Sequence, residues 1–257
     1  SVSAIFALCI QWFGLWFVLV ILAVVATTIF FSFRYHKQKT TKKEAIEQIG
    51  KSVLTEEELS KEFTQRVFDT INNAQDVLNT SIAGVNAEDR KLLKAAKKEL
   101  NEVVEDHEQL GVTLFKYLKM LSESNSHTLV RLYDYEQDLV QSCKLVFEVC
   151  ENHLRNTHEP LQQEQQERLN TFLAEMDSFT TKTTHSLSAD SADIEHLKTD
   201  KTEVLTRVNQ HIAFQMEGIK QEQFNALNTE LFLSILLEAR DIVAVLFRMV
   251  REVKKLG

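Results

Sequence analysis

The chain has two hydropathy patterns in succession. From Val2 to Phe33 no side chain is charged, whereas from Thr55 onward apolar residues recur every three or four positions among charged ones. The first pattern predicts a membrane segment and the second a series of amphipathic helices. A bilayer core of ~30 Å takes about 20 residues of helix, so Val2–Phe33 is too long for one straight span. Gln11-Trp12-Phe13-Gly14 interrupts it, with a tryptophan suited to the membrane–water interface. On this reading Ser1–Ile10 is the end of one span and Leu15–Phe33 is a complete last one; a single strongly tilted helix is the alternative. A secretory signal has a basic stretch before a short apolar core, the reverse of the order here. The abrupt apolar start with no methionine leads us to expect the tail of a longer, multi-pass protein.

The second pattern predicts six helices. Thr55-Glu56-Glu57-Glu58 has the form of a capping box. It opens a first helix with Leu59, Phe63, Val67, Ile71, Ala74 and Leu78 on one face, closed by Gly84–Asn86, where Asn86 is placed to cap the next. A second helix runs over about Ala87–Ser122, with Gly111 as an interior weak point. The third covers about His127–Asn156, after a turn at Ser124-Asn125-Ser126, with Leu132, Tyr135, Leu139, Cys143, Val146 and Cys150 inward. Pro160 predicts the first turn of a fourth helix reaching about Thr183, followed by a long polar loop at Thr180–Ser191. A fifth helix spans about Ala192–Ile219 and a sixth, the most apolar, about Thr229–Lys255. The expected fold class is all-α: one transmembrane helix and the end of another within residues 1–35, a basic and polar linker over 36–51, and a six-helix antiparallel bundle over 52–257.

Charge fixes the expected orientation. Residues 1–43 hold five Lys/Arg and no Asp or Glu. A basic flank beside a span stays cytoplasmic, so the bundle is expected in the cytoplasm and the spans in the inner membrane, with the lipid bilayer as partner. The net charge of −8 then leaves −13 on residues 44–257, 24 basic against 37 acidic side chains. Nucleic acid is a poor partner for such a surface, because phosphate binding needs clustered Lys and Arg. Six glycines and one proline fit long helices with short links. They offer no phosphate-cradling loop and no nucleophile elbow, so no enzyme active site is expected. Cys143 and Cys150 read as buried free thiols, and most of the eight histidines as surface or cap residues.

The third and sixth helices align on Asp138-Leu139-Val140 and Asp241-Ile242-Val243, which predicts two three-helix units. The same region carries a family resemblance. Asn228–Val243 (NTELFLSILLEARDIV) resembles the last helix of PhoU-like domains. Arg90–Leu100, Leu132–Val140 and His153–Leu161 match earlier parts of such domains. Together with the preceding apolar run, the chain resembles the C-terminal portion of a bacterial inorganic phosphate transporter of the PiT family. That resemblance implies phosphate symport with Na⁺ or H⁺ by the full-length protein, with the transport residues upstream of Ser1. It also implies a regulatory module of a kind that forms homodimers and binds metal clusters through acidic motifs. Asp134 and Asp138 (i, i+4) and Glu238 and Asp241 (i, i+3) each put two carboxylates on one helix face. They are the expected ligands of a divalent metal or iron if the third and sixth helices pack side by side; the second pair is one residue shorter than the family spacing. Arg240 or Arg248 is the alternative partner for Glu238 and Asp241. The competing reading of the whole chain is a membrane-anchored helical signalling or scaffold protein with no transport role.

Overall fold

Thr55 caps the first helix of the bundle as its sequence predicts. Its backbone N–H donates to the Glu58 carboxylate at 2.8 Å, and the Glu58 N–H returns a bond to the Thr55 hydroxyl at 3.3 Å. From there the computed structural model describes residues 55–188 and 194–256, all within the compact unit Leu54–Gly257. The predicted spans, the linker and Cys9 lie outside the described residues. Six helices follow: α1 (Glu56–Asn86), α2 (Arg90–Leu118), α3 (Glu123–Arg155), α4 (Gln163–Ser188), α5 (Ile194–Lys220) and α6 (Ala226–Val253). Among the described residues there is no strand, and no helix is long and apolar enough to cross a membrane.

Packing follows the apolar stripes. The α1 stripe from Leu59 to Leu78 is buried throughout, as is that of α6. Helices α1, α2 and α3 pack on one another, as do α4, α5 and α6. The two groups meet along α3–α6, with a second seam along α1–α4. This is a bundle and not a continuous rod.

Burial repeats between the two groups. Every buried position of α3, from Thr128 to His153, falls on a buried position when shifted by 103 residues, the offset that pairs Asp138 with Asp241. A shift of 102 carries Phe63, Val67, Thr70, Ala74 and Val77 of α1 onto Gln165, Leu169, Phe172, Met176 and Phe179 of α4. A shift of 104 carries Leu93, Leu100, His107 and Leu114 of α2 onto Leu197, Val204, His211 and Gly218 of α5.

Several boundaries differ from the sequence reading. Asp89 caps α2, accepting from the Lys91 N–H at 2.7 Å, while Asn86 stays in the last turn of α1 and bonds Asn170. Ser122 caps α3, so Ser124–Ser126 is helical. Pro160 lies ahead of α4 in a non-helical link; its carbonyl accepts from Asn228 Nδ2 at 2.8 Å and ties that link to α6. The expected loop after Thr180 is helical through Ser188. Hydroxyls along that stretch bond back one turn, Thr183 to the Phe179 carbonyl at 2.8 Å and Ser186 to Lys182 at 2.9 Å, which satisfies polar groups inside a helix. The remainder of that expected loop, 189–193, lies outside the described residues.

Candidate functional site

The four carboxylates singled out from sequence do not form a common site. Helices α3 and α6 do pack along one another, as that site requires. Asp134, Asp138 and Asp241 are nonetheless exposed and Glu238 is only half-buried. Asp241 pairs with its neighbour Arg240 at 3.6 Å. Partial burial, and then the adjacent Asp134 charge, push the Asp138 carboxyl above its usual range, with Arg248 opposing. Glu238 lies close enough to Cys143 to act on it: burial first and that carboxylate second push the thiol up to about 12. Among the described residues no group of three or more His, Cys, Asp or Glu side chains is arranged to hold a metal ion.

The structure instead buries carboxylates that the apolar stripes had hidden. Glu136 lies on the inward face of α3 between Leu132 and Leu139, with its side chain 3% exposed. Its Oε1 accepts from the Thr70 hydroxyl at 3.3 Å and from Arg66 Nη2 at 3.4 Å, both on α1. His107 Nδ1 of α2 stands 3.8 Å from the same oxygen, and the His107 ring stacks on Tyr133 with centroids 4.7 Å apart. Arg66 also donates to the Asp106 carbonyl. One carboxylate thus ties together three helices. Beside it a groove of about 330 Å³ opens between α1 and α2, lined by Glu62, Arg66, Asp69, Thr70 and Asp106. Nearby, burial and then the Glu62 charge push the Tyr117 phenol up to about 12, and its hydroxyl donates to Glu62 at 3.0 Å.

The second unit holds a related group between α4 and α5. Glu175 accepts from Arg207 Nη1 at 2.8 Å, and His211 Nε2 stands 3.9 Å from its other oxygen. Burial pulls the His211 ring below its ordinary value, with Glu175 opposing and Arg168 adding to the fall. Arg168 stacks on Phe214 at 3.5 Å from the ring centroid. A groove of about 340 Å³ runs past Glu175, Lys182, Asp200 and Arg207. Burial pushes Asp200 up, but its bonds to Lys182 at 2.5 Å and His196 at 3.0 Å outweigh that and hold the carboxyl below its usual range. His107 and His211 occupy one register, and Arg66 and Arg168 another. The imidazoles thus stand at corresponding points beside Glu136 and the part-buried Glu175, but the guanidiniums do not: Arg207 pairs with Glu175, while Arg168, the register partner of Arg66, stacks on Phe214 and pairs with Glu164.

A third buried carboxylate, Glu252, closes the end of α6. Its side chain is fully buried, and Lys255 Nζ reaches it at 2.7 Å, with Arg251 and Arg131 at 3.6 Å. Most of the histidines are expected from sequence as surface or cap residues; three of them, His107, His153 and His211, are buried. Burial, and then the neighbouring His158, lower the His153 ring's affinity for a proton. Cys143 and Cys150 are buried free thiols, as expected, and burial leaves them without the thiolate that a nucleophile or soft-metal ligand needs. Chemically, the twin groups bind charge and fix helix positions, and the grooves beside them carry both signs of charge. No family model, curated protein or solved structure matches the chain.

Proposed function

We propose that this chain is the C-terminal part of an inorganic phosphate transporter of the PiT family. On this reading residues 52–257 are a PhoU-like cytoplasmic module that regulates transport through the last membrane spans. The observation that supports it most is the division of the bundle into two three-helix units joined along α3–α6. Those two helices carry two of the segments that bear the family resemblance, Leu132–Val140 and Asn228–Val243. The uncharged run Val2–Phe33 and the basic flank after it support attachment to the cytoplasmic face of a membrane. Phosphate, with Na⁺ or H⁺, is then the cargo of the full-length protein and is handled upstream of Ser1.

The test is uptake of radiolabelled phosphate in cells lacking their own transporters and carrying the full-length gene. We expect uptake above the empty vector, and an altered response to external phosphate when the gene is stopped after residue 51. A full-length protein that reaches the membrane and moves no phosphate would refute the transporter reading. Unchanged uptake and regulation after truncation would refute the regulatory role.

A further inference from the structure

Val112 and Phe115 of α2 are 72% and 73% exposed, the largest exposures among the bulky apolar side chains described. They stand at the centre of an ordered charge pattern. Glu105 and Glu108 lie seven and four residues before Val112, and Lys116 and Lys119 lie four and seven after it. Those spacings return to one helix face, so the six side chains form a single stripe. All four charged residues are exposed, and none has an ion-pair partner among the described residues. The opposite side of the helix is anchored by the buried Val103, His107, Leu110, Leu114 and Tyr117. The stripe is therefore held outward on a fixed element.

We propose that this stripe pairs with the same stripe of a second copy of the chain, antiparallel about a two-fold axis beside Val112. The acids lie on one side of Val112 and the lysines at equal distances on the other. At ~1.5 Å of rise per residue, the charges stand about 6 and 10 Å from the axis. Turning one copy end for end brings its lysines over the other copy's glutamates. A two-fold contact uses the same patch on both copies, so this happens twice per dimer. A parallel pairing would set acid on acid and lysine on lysine, which opposes it. Val112 and Phe115 of both copies fill the middle and leave water there.

Exposed ion pairs add little affinity. Here they select the partner and its direction, and the apolar centre supplies the attraction. The patch is small beside the roughly 800 Å² per partner of a standard interface, so the contact is a reversible one. It involves the helical body alone and does not depend on the transport reading.

The second unit has the apolar residues without the charges. At the 104-residue shift Met216 and Ile219 of α5 repeat Val112 and Phe115, and both are exposed. Asn209, Ile212 and Gln223 stand in the places of Glu105, Glu108 and Lys119. Lys220, in the place of Lys116, pairs with Glu217 at 3.6 Å. The two faces lie at opposite ends of the bundle. Glu56, the first residue of α1, accepts from the Ser122 backbone N–H at 3.0 Å, so α2 finishes beside the start of α1. The Ser60 hydroxyl bonds the Leu256 carbonyl at 3.1 Å, so α6 also finishes there and begins, next to the end of α5, about 40 Å away. The α5 face is thus a separate internal control.

The experiment uses the full chain in detergent micelles, with Cys9→Ser and one surface thiol introduced by Val112→Cys or by Met216→Cys. The native Cys143 and Cys150 are buried. Oxidation with copper phenanthroline is followed by non-reducing electrophoresis. Both introduced sites are exposed, and unchanged circular dichroism confirms the fold. We expect the linked dimer to form roughly fivefold faster through position 112 than through 216. Glu105→Lys with Glu108→Lys, or Lys116→Glu with Lys119→Glu, gives the stripe a single sign and should slow linkage at 112 by about fivefold. An equal mixture of these two variants has complementary stripes and should recover most of the parent rate. Equal rates at 112 and 216 overturn the proposal, because the micelle alone then brings the copies together. So does a mixture no faster than its components, which would mean that the charges do not meet across a contact. A thiol at 112 that fails to link also overturns it and leaves the face to lipid or to a different protein.

Discussion

Replacing Glu136 with alanine tests whether the buried carboxylate holds α1, α2 and α3 together. The side chain is 3% exposed and is the common partner of Thr70, Arg66 and His107. Breaking a buried ion pair costs about 3–5 kcal/mol. Two observations reduce that figure. Arg66 sits at 3.4 Å with its side chain 28% exposed, and it keeps its bond to the Asp106 carbonyl, so its charge is not stranded. The Thr70 hydroxyl, by contrast, is buried and loses its acceptor. Stranding such a group costs about 1–3 kcal/mol, and the shortened side chain adds roughly 1 kcal/mol of lost packing. Against this, one desolvated charge returns to water. The expected net loss for Glu136→Ala is about 2–3 kcal/mol. Glu136→Gln keeps the shape and the Thr70 contact and should lose about half as much. The measurement is urea unfolding of residues 52–257 followed by circular dichroism at 222 nm, with an unchanged m-value as the check on two-state behaviour. A double-mutant cycle with Arg66→Ala should return a coupling of about 1 kcal/mol. The register-equivalent residue in the second unit is Ala239, so the fold accommodates alanine at that point of a three-helix unit. A Glu136→Ala loss below about 0.5 kcal/mol, the scatter of surface substitutions, would show that the carboxylate is tolerated there and contributes no net stability.

Three further outcomes follow from local geometry. A methyl group at Gly218 would meet the Phe224 ring at 2.0 Å, so Gly218→Ala should cost about 1–3 kcal/mol, read as a lower melting temperature; an unchanged melt would mean that the ring swings away freely. Thr157 holds φ at 51° just past α3, a conformation in which glycine is unstrained, so Thr157→Gly should raise stability by up to about 1 kcal/mol in the same urea assay. The rings of His153 and His211 bind protons less readily in the folded bundle than when unfolded. Their contribution to stability is therefore complete above the ordinary histidine value of 6.5 and declines as pH falls through the lower folded values. Melting temperature should drop from pH 7.5 to 5.5, and His211→Gln should flatten that slope; an equal slope in the variant would assign the acid sensitivity to other groups.

The sequence made the helices legible, but not every face of them. Long stripes such as Leu59–Leu78 and Leu231–Met249 have a strong 3.6-residue period, and a capping box marks the first start, so those elements read directly. Spacing alone does not distinguish i+3 from i+4. After Leu132 it favoured Tyr135 as the inward residue, because Tyr135 is the more apolar choice, whereas the bundle buries Glu136 and leaves Tyr135 only half-buried. The partners that make Glu136 tolerable, the donors Arg66 and Thr70 with His107 beside them, come from two other helices and have no local signature. The threonine-rich end of α4 looked like a loop because its hydroxyls satisfy themselves against the helix backbone, which composition does not reveal. Asp134, Asp138, Glu238 and Asp241 were chosen for spacing, which is a property of one helix. Convergence depends on how far each face is rotated toward its neighbour, and the apolar residues beside these carboxylates take the inward positions.

The contact between Ser60 and Leu256 has a topological consequence. The bundle's last described residues return to where its first helix begins, and the link between its two halves, residues 156–162, crosses the opposite end. A short connector from Leu256 to Thr55 would close the helical body into a ring, and reopening it at that link would place α4–α6 ahead of α1–α3. Such a circular permutant preserves every helix and both seams. If it folds, the order in which the halves are synthesised is not part of what the sequence must encode.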